Sequence, residues 1–119
     1  MDKELLLSKV NARNQGTLST KLGIEFTEVG DNYLIAKMNV TPDLHQPAGV
    51  LHGGATAALA ETVGSAASAV FCKKDNQMLR GIELSINHVR GIESGEVFAR
   101  ADAIKLGSTM QLWKISITD

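Results

Sequence analysis

Between Asp43 and Lys73 the chain carries one charged residue, Glu61. A run so poor in charge either crosses a membrane or becomes a buried element of a water-soluble fold. Its composition favours the second outcome. The stretch is rich in Ala, Gly, Ser and Thr rather than Leu and Ile, and it holds Pro47, two histidines and a central carboxylate, a poor make-up for a membrane span. From Gly54 to about Phe71 there is no proline, and Ala-Thr-Ala-Ala-Leu-Ala-Glu favours helix. The spacing predicts one long helix, about 27 Å at 1.5 Å per residue. Its apolar residues (Ala57, Ala58, Leu59, Ala60, Val63, Ala66, Ala67, Val70 and Phe71) spread almost all round, the pattern of a helix buried on every side. Many are small, so other backbone can approach closely.

The rest of the chain must therefore wrap this helix. Residues Lys3 to Arg13 read as a helix with Leu6, Leu7 and Val10 on one side and Gly16 beyond its end. Leu22, Ile24 and Phe26 alternate with other residues, Gly30-Asp31-Asn32 supplies a turn, and Tyr33 to Val40 is a second extended run, so 22–40 reads as a hairpin. Thr41 to Val50, with Pro42 and Pro47, reads as an irregular loop. After the long helix come three strand-like runs, Leu79 to Val89, Glu96 to Leu106 and Thr109 to Thr118, separated by glycine-containing breaks. The expected class is α+β, an antiparallel sheet around one central helix. At 119 residues a single domain spanning 1–119 is expected.

Charge and cysteine content narrow the functional classes. Twelve basic residues against thirteen acidic ones argue against binding nucleic acid through bulk electrostatics. The lone Cys72 cannot form an internal disulfide, and near the helix end it reads as a small packing residue. Met1-Asp2-Lys3-Glu4 lacks the basic start and cleavage site of a signal peptide. A cytoplasmic protein without a membrane anchor is expected.

The chemistry concentrates where the loop enters the long helix. Gln46-Pro47-Ala48-Gly49-Val50-Leu51-His52-Gly53-Gly54 leads into a helix start, where backbone N–H groups are unpaired and the dipole is positive. Glycines let a ligand oxygen approach these donors, which suits a polarised carbonyl, an oxyanion or a phosphate; alternatively Gly53 and Gly54 only shape a tight turn. A carboxylate such as Glu61 in an uncharged helix is paired, neutralised or used, unless it faces solvent through a gap in the sheet. Ser65, four residues on, lies on the same face and can hydrogen-bond it. His45, His52 and His88 have no metal-binding spacing, so no metal is expected. Ser65 and Ser68 lack the Gly-x-Ser-x-Gly elbow of a serine hydrolase.

Gln46-x5-His52-Gly53-Gly54, followed by Ala60-Glu61-Thr62-x-Gly64-Ser65, resembles the hotdog-fold acyl-CoA thioesterases, in particular the glutamate-dependent group with 4-hydroxybenzoyl-CoA and 1,4-dihydroxy-2-naphthoyl-CoA thioesterases. Asn87-His88-Val89-Arg90 and Leu106-Gly107-Ser108-x4-Trp113 resemble later motifs of that group, so the likeness covers nearly the whole chain. A related phenylacetyl-CoA-type branch has Asp at the helical acid position, where this chain has Glu61.

The resemblance implies a hotdog fold. It implies that Glu61 is the catalytic carboxylate, acting as nucleophile or as general base, and that the Gly53 N–H polarises the thioester carbonyl. Gln46 and His52 would position the thioester, and Ser65 would supply the hydroxyl beside the acid. Arg90, Ser108 and Thr109 would hold the CoA phosphates, with Gly81, His88, Val89, Gly91, Lys105 and Gly107 around the same groove. It further implies an acyl-CoA substrate with an aromatic acyl group, and no cofactor beyond the CoA of the substrate. The assembly implied is a homodimer with shared sites, paired into a tetramer, and one implied setting is menaquinone biosynthesis. Members of the family have a further strand after the one ending near Ile117, a strand these 119 residues do not hold. A non-hydrolytic acyl-CoA binder would use the same groove, but would have no need of a carboxylate at Glu61. Dehydration, another hotdog reaction, goes with a different His/acid pattern.

Overall fold

The computed structural model describes residues 2–71, 81, 83–85 and 90–119. Asp2 opens the first helix, α1 (Lys3–Arg13), by accepting a hydrogen bond from Leu5 N–H at 3.1 Å, a side-chain cap on an otherwise unused helical donor. Leu6, Leu7 and Val10 turn towards the core as their spacing predicts. A four-residue helix, α2 (Leu18–Lys21), follows; it is too short to leave a periodic signal.

The hairpin forms from β1 (Glu25–Val29) and β2 (Tyr33–Val40), closed by the Gly30 N–H donating to Tyr33 C=O at 2.9 Å. The loop after β2 holds a 3-10 turn, Pro42–Leu44. The long helix, α3, runs Gly53–Val70. Two strands, β3 (Gly95–Leu106) and β4 (Gln111–Thr118), complete an antiparallel sheet in the order β1-β2-β3-β4. Most of the expected strand 79–89 lies outside the described residues. Its described members, Gly81 and Glu83–Ser85, carry no regular secondary structure.

The core lies between the sheet and α3. In β2 the alternating Leu34, Ala36, Met38 and Val40 are buried, and in β3 so are Val97, Ala99 and Ala101, the period of two expected of a sheet with one covered face. The helix meets them with Ala55, Leu59, Val63 and Ala67, spaced four residues apart. Alanines on both sides let helix and sheet approach closely. Leu59 and Val63 are fully buried, each worth about 1.5–3 kcal/mol relative to exposure. Burial on every side of α3 is corrected here. One stripe is buried, while Glu61, Ser65 and Ala69 are exposed on another face.

Three sets of contacts lock the periphery. Trp113 on β4 donates its indole N–H to Ser68 Oγ at 2.9 Å and stacks, tilted, on Phe71 with centroids 5.7 Å apart, tying the last strand to the end of α3. On the outer face, the Arg100 guanidinium lies 4.0 Å over the Tyr33 ring, whose hydroxyl donates to Glu28 and has its pKa raised chiefly by that bond. At the other edge, Asn11 Nδ2 donates to Phe26 C=O at 3.0 Å and Asn11 Oδ1 accepts from Phe26 N–H at 2.9 Å. One side chain thus occupies both backbone groups that β1 offers there. Asn11→Ala is expected to cost about 1–3 kcal/mol by leaving these part-buried groups unpaired, read as a lower denaturant midpoint with an unchanged slope.

Candidate active site

The loop before α3 is built by its own backbone. Gln46 N–H donates to Val50 C=O at 2.8 Å and Gly49 N–H to Gln46 C=O at 2.9 Å, with Pro47 inside the turn and Gly49 at φ 82°, a left-handed conformation that glycine adopts without strain. Leu51 N–H donates to Ile92 C=O at 2.7 Å and His52 N–H to Leu44 C=O at 2.8 Å. These bonds deliver His52 to the helix start in a fixed orientation.

His52 is the N-cap of α3, and its Nδ1 accepts from Gly54 N–H at 2.7 Å. A Cβ on Gly54 would fall 2.9 Å from the ring, so the second glycine makes room for the cap. With Nδ1 accepting, a neutral His52 carries its proton on Nε2, where it is a donor. Gly53 N–H is a first-turn donor that the helix cannot use itself. Gln46 Oε1 accepts from Ala48 N–H at 2.8 Å, which leaves the amide NH2 as the free donor end.

Gln46 and Gly53 line a cleft of about 380 Å³ with Val50, Leu51, Thr56, Arg90, Gly91 and Ile92. Sequence reading missed Val50, Leu51, Thr56 and Ile92. Thr56 sits three residues after Gly53 on the same helix face, the one available signal. Arg90 is exposed and forms an ion pair with Asp119.

Glu61 and Ser65 lie outside this cleft. Both are on the exposed face of α3, and Ser65 Oγ donates to Glu61 Oε1 at 2.9 Å. Gly81 packs against this carboxylate, so the structure places it beside Glu61 rather than in a groove with Arg90. Lys105 lies near the end of β3, and Gly107, Ser108 and Thr109 form the β3–β4 turn after it, closed by Gly107 N–H donating to Met110 C=O at 3.0 Å. That turn is at the opposite end of the hairpin from Arg90, which pairs with Asp119 just beyond β4. The length of β4 separates the two by about 24 Å. A single groove holding Arg90 with Lys105–Thr109 is therefore not formed within one protomer. His88 and Val89 lie outside the described residues. His45 is used structurally, its Nε2 lying 2.9 Å from Glu93 C=O. Among the described residues no three His, Cys, Asp or Glu side chains gather into a metal-binding set, and no helix is long and apolar enough to cross a membrane.

The chain thus presents two half-sites, donors at the start of α3 and a carboxylate with its hydroxyl two turns further on. Together they could polarise a carbonyl and activate water against it. Comparison with known proteins points to the same chemistry. Residues 48–119 match the thioesterase superfamily. Over 117 residues the chain is 44% identical to the proofreading thioesterase EntH of Cronobacter turicensis, a match covering 98% of this chain and 85% of that protein. The crystal structure of thioesterase HI1161 from Haemophilus influenzae superposes with a TM-score of 0.88 at 40% identity, covering 93% of this chain and 77% of that one. A mutant of thioesterase PA1618 from Pseudomonas aeruginosa also gives 0.88, at 41% identity over 94% of this chain and 81% of that one. The helix laid on an antiparallel sheet is the hotdog fold of these neighbours, and the chain belongs to the thioesterase superfamily as a thioester hydrolase.

Proposed function

We propose that the chain hydrolyses acyl-CoA thioesters with an aromatic acyl group, as a member of the glutamate-dependent group, and that it does so in the cytoplasm as a homodimer, paired into a tetramer. The observation that carries this reading is the Glu61–Ser65 pair, a carboxylate held at 2.9 Å by a hydroxyl on the open face of an otherwise uncharged helix. A protein that only bound acyl-CoA would gain nothing from a carboxylate there. The small side chains around it, Ala57, Ala58 and Gly64, leave room for a planar ring.

In this reading the thioester carbonyl oxygen accepts from Gly53 N–H, and the helix dipole favours the negative charge that develops on it. Gln46 and His52 hold the thioester through their donor ends. Glu61 takes a proton from water as the oxygen attacks the carbonyl carbon. The C–S bond then breaks and the proton passes to the departing thiolate, giving a carboxylic acid and CoA. If Glu61 instead attacks directly, the intermediate is a mixed anhydride; a single turnover in ¹⁸O-water labels Glu61 only by that route. The reaction needs no cofactor, since CoA arrives with the substrate.

The test is thiol release from a panel of aromatic and aliphatic acyl-CoAs. The expected result is turnover fastest with aromatic acyl groups. Binding without thiol release would favour the acyl-CoA binder, and fastest turnover of aliphatic groups would remove the aromatic assignment. Arg90, at the edge of the cleft, supplies a second check. Arg90→Ala is expected to raise KM for CoA thioesters about tenfold or more while changing KM for pantetheine thioesters little, because a guanidinium gains from a phosphate that the short analogues lack. Equal losses for both would place Arg90 elsewhere.

A further inference from the structure

Gly81 is twenty residues from Glu61 in sequence but lies against its carboxylate. A Cβ built on Gly81 would meet three atoms of that one group before any other, with Cδ and Oε2 at 3.0 Å and Oε1 closer still. Gly81 is exposed, so it is not squeezed into the core. What a side chain would displace here is the Glu61 carboxylate.

We propose that Gly81 is a positioning residue for Glu61, its missing side chain being what leaves the carboxylate in place beside Ser65; the proposal rests on the reading of Glu61 as the catalytic acid. A methyl group at Gly81 would not disturb packing greatly, because the atom it meets is the far end of a flexible, exposed side chain. Glu61 would turn to another staggered rotamer at small cost to stability. The carboxylate would leave its place against Ser65, and a displacement of about 1 Å at a reacting group costs about 10²-fold in rate.

The experiment is a coupled set of variants assayed on an acyl-CoA that the wild-type protein turns over. Gly81→Ala is expected to lower kcat about 100-fold with KM changed less than about threefold. Added to Glu61→Asp, whose shorter side chain leaves space for the methyl, the same substitution is expected to lower kcat less than about threefold. A wild-type kcat in Gly81→Ala, or an equal loss in both backgrounds, would overturn the proposal. Should Gly81→Ala fold poorly, its melting temperature is compared with that of Gly81→Ala combined with Glu61→Ala. Recovery to the value of Glu61→Ala alone supports the steric clash, and equal destabilisation in both backgrounds overturns it. Glu61→Gln separates the two readings: turnover surviving in that variant removes the catalytic role of Glu61 itself, whereas its loss together with additive Gly81 effects removes only the positioning role.

Discussion

Glu61→Gln is expected to lower turnover about 10³-fold or more while acyl-CoA still binds with Kd changed less than about threefold. Glutamine keeps the length of the side chain. Its amide oxygen can still accept the hydrogen bond that Ser65 Oγ gives Glu61 Oε1 at 2.9 Å, so the group stays in place. What is lost is the negative charge and the capacity to take a proton or attack a carbonyl. The donors at the start of α3 are untouched by the change, which is why ground-state binding survives. Thiol release and calorimetric binding on the same preparation check both halves. More than a few per cent of wild-type turnover, with contamination excluded, would remove Glu61 as the reacting carboxylate.

The parts of the molecule that sequence made legible are those in which local chemistry and tertiary structure agree. The long helix is one: an unbroken run of helix formers after two glycines allowed only small errors at its ends, and α3 begins at Gly53. The hairpin is another, because Gly30-Asp31-Asn32 separates two extended runs and the turn forms there. The exposed face of α3 was not legible. Alanine is tolerated both in a core and at a surface, so a helix with alanine on all sides does not declare which side the sheet covers; the stripe at Ala55, Leu59, Val63 and Ala67 emerges only with β2 and β3 in place. The wall of the cleft escaped for a similar reason. Val50 and Ile92 are loop residues with no period, brought together by the bond between Leu51 and Ile92. The family resemblance groups Arg90 with Lys105–Thr109 in one groove, a grouping that no local feature of the sequence tests. The register of β3 against β4, which runs from Phe98 opposite Thr118 to Leu106 opposite Gln111, sets them at opposite ends of a hairpin. Gly81 beside Glu61 is a purely tertiary contact with no local signal at all.

Two inactive variants are expected to restore each other. Gly53 and Glu61 are eight residues apart on α3, a rise of about 12 Å. A carbonyl oxygen bonded to Gly53 N–H must lie about 3 Å from it, and the carboxylate must come within similar reach of the carbonyl carbon or its water. One helix cannot easily serve one thioester at both points, and the cleft lined by Gly53 contains neither Glu61 nor Ser65. The exposed Glu61 face leaves the alternative open to a second copy. Two antiparallel α3 helices related by a two-fold axis would bring Gly53 of one chain to Glu61 of the other, twice per dimer. Mixing Glu61→Ala with a variant altered at both Gln46 and His52 makes about half of the dimers mixed at equal input, each with one intact site and one doubly damaged site. Activity is therefore expected to return to about a quarter of the wild-type value, from two preparations that are each inactive. If subunits demonstrably exchange, as mass spectrometry of the remixed sample would show, and activity does not return, the shared site is wrong, and a single chain must bring both halves together by a movement of α3 or of the loop before it.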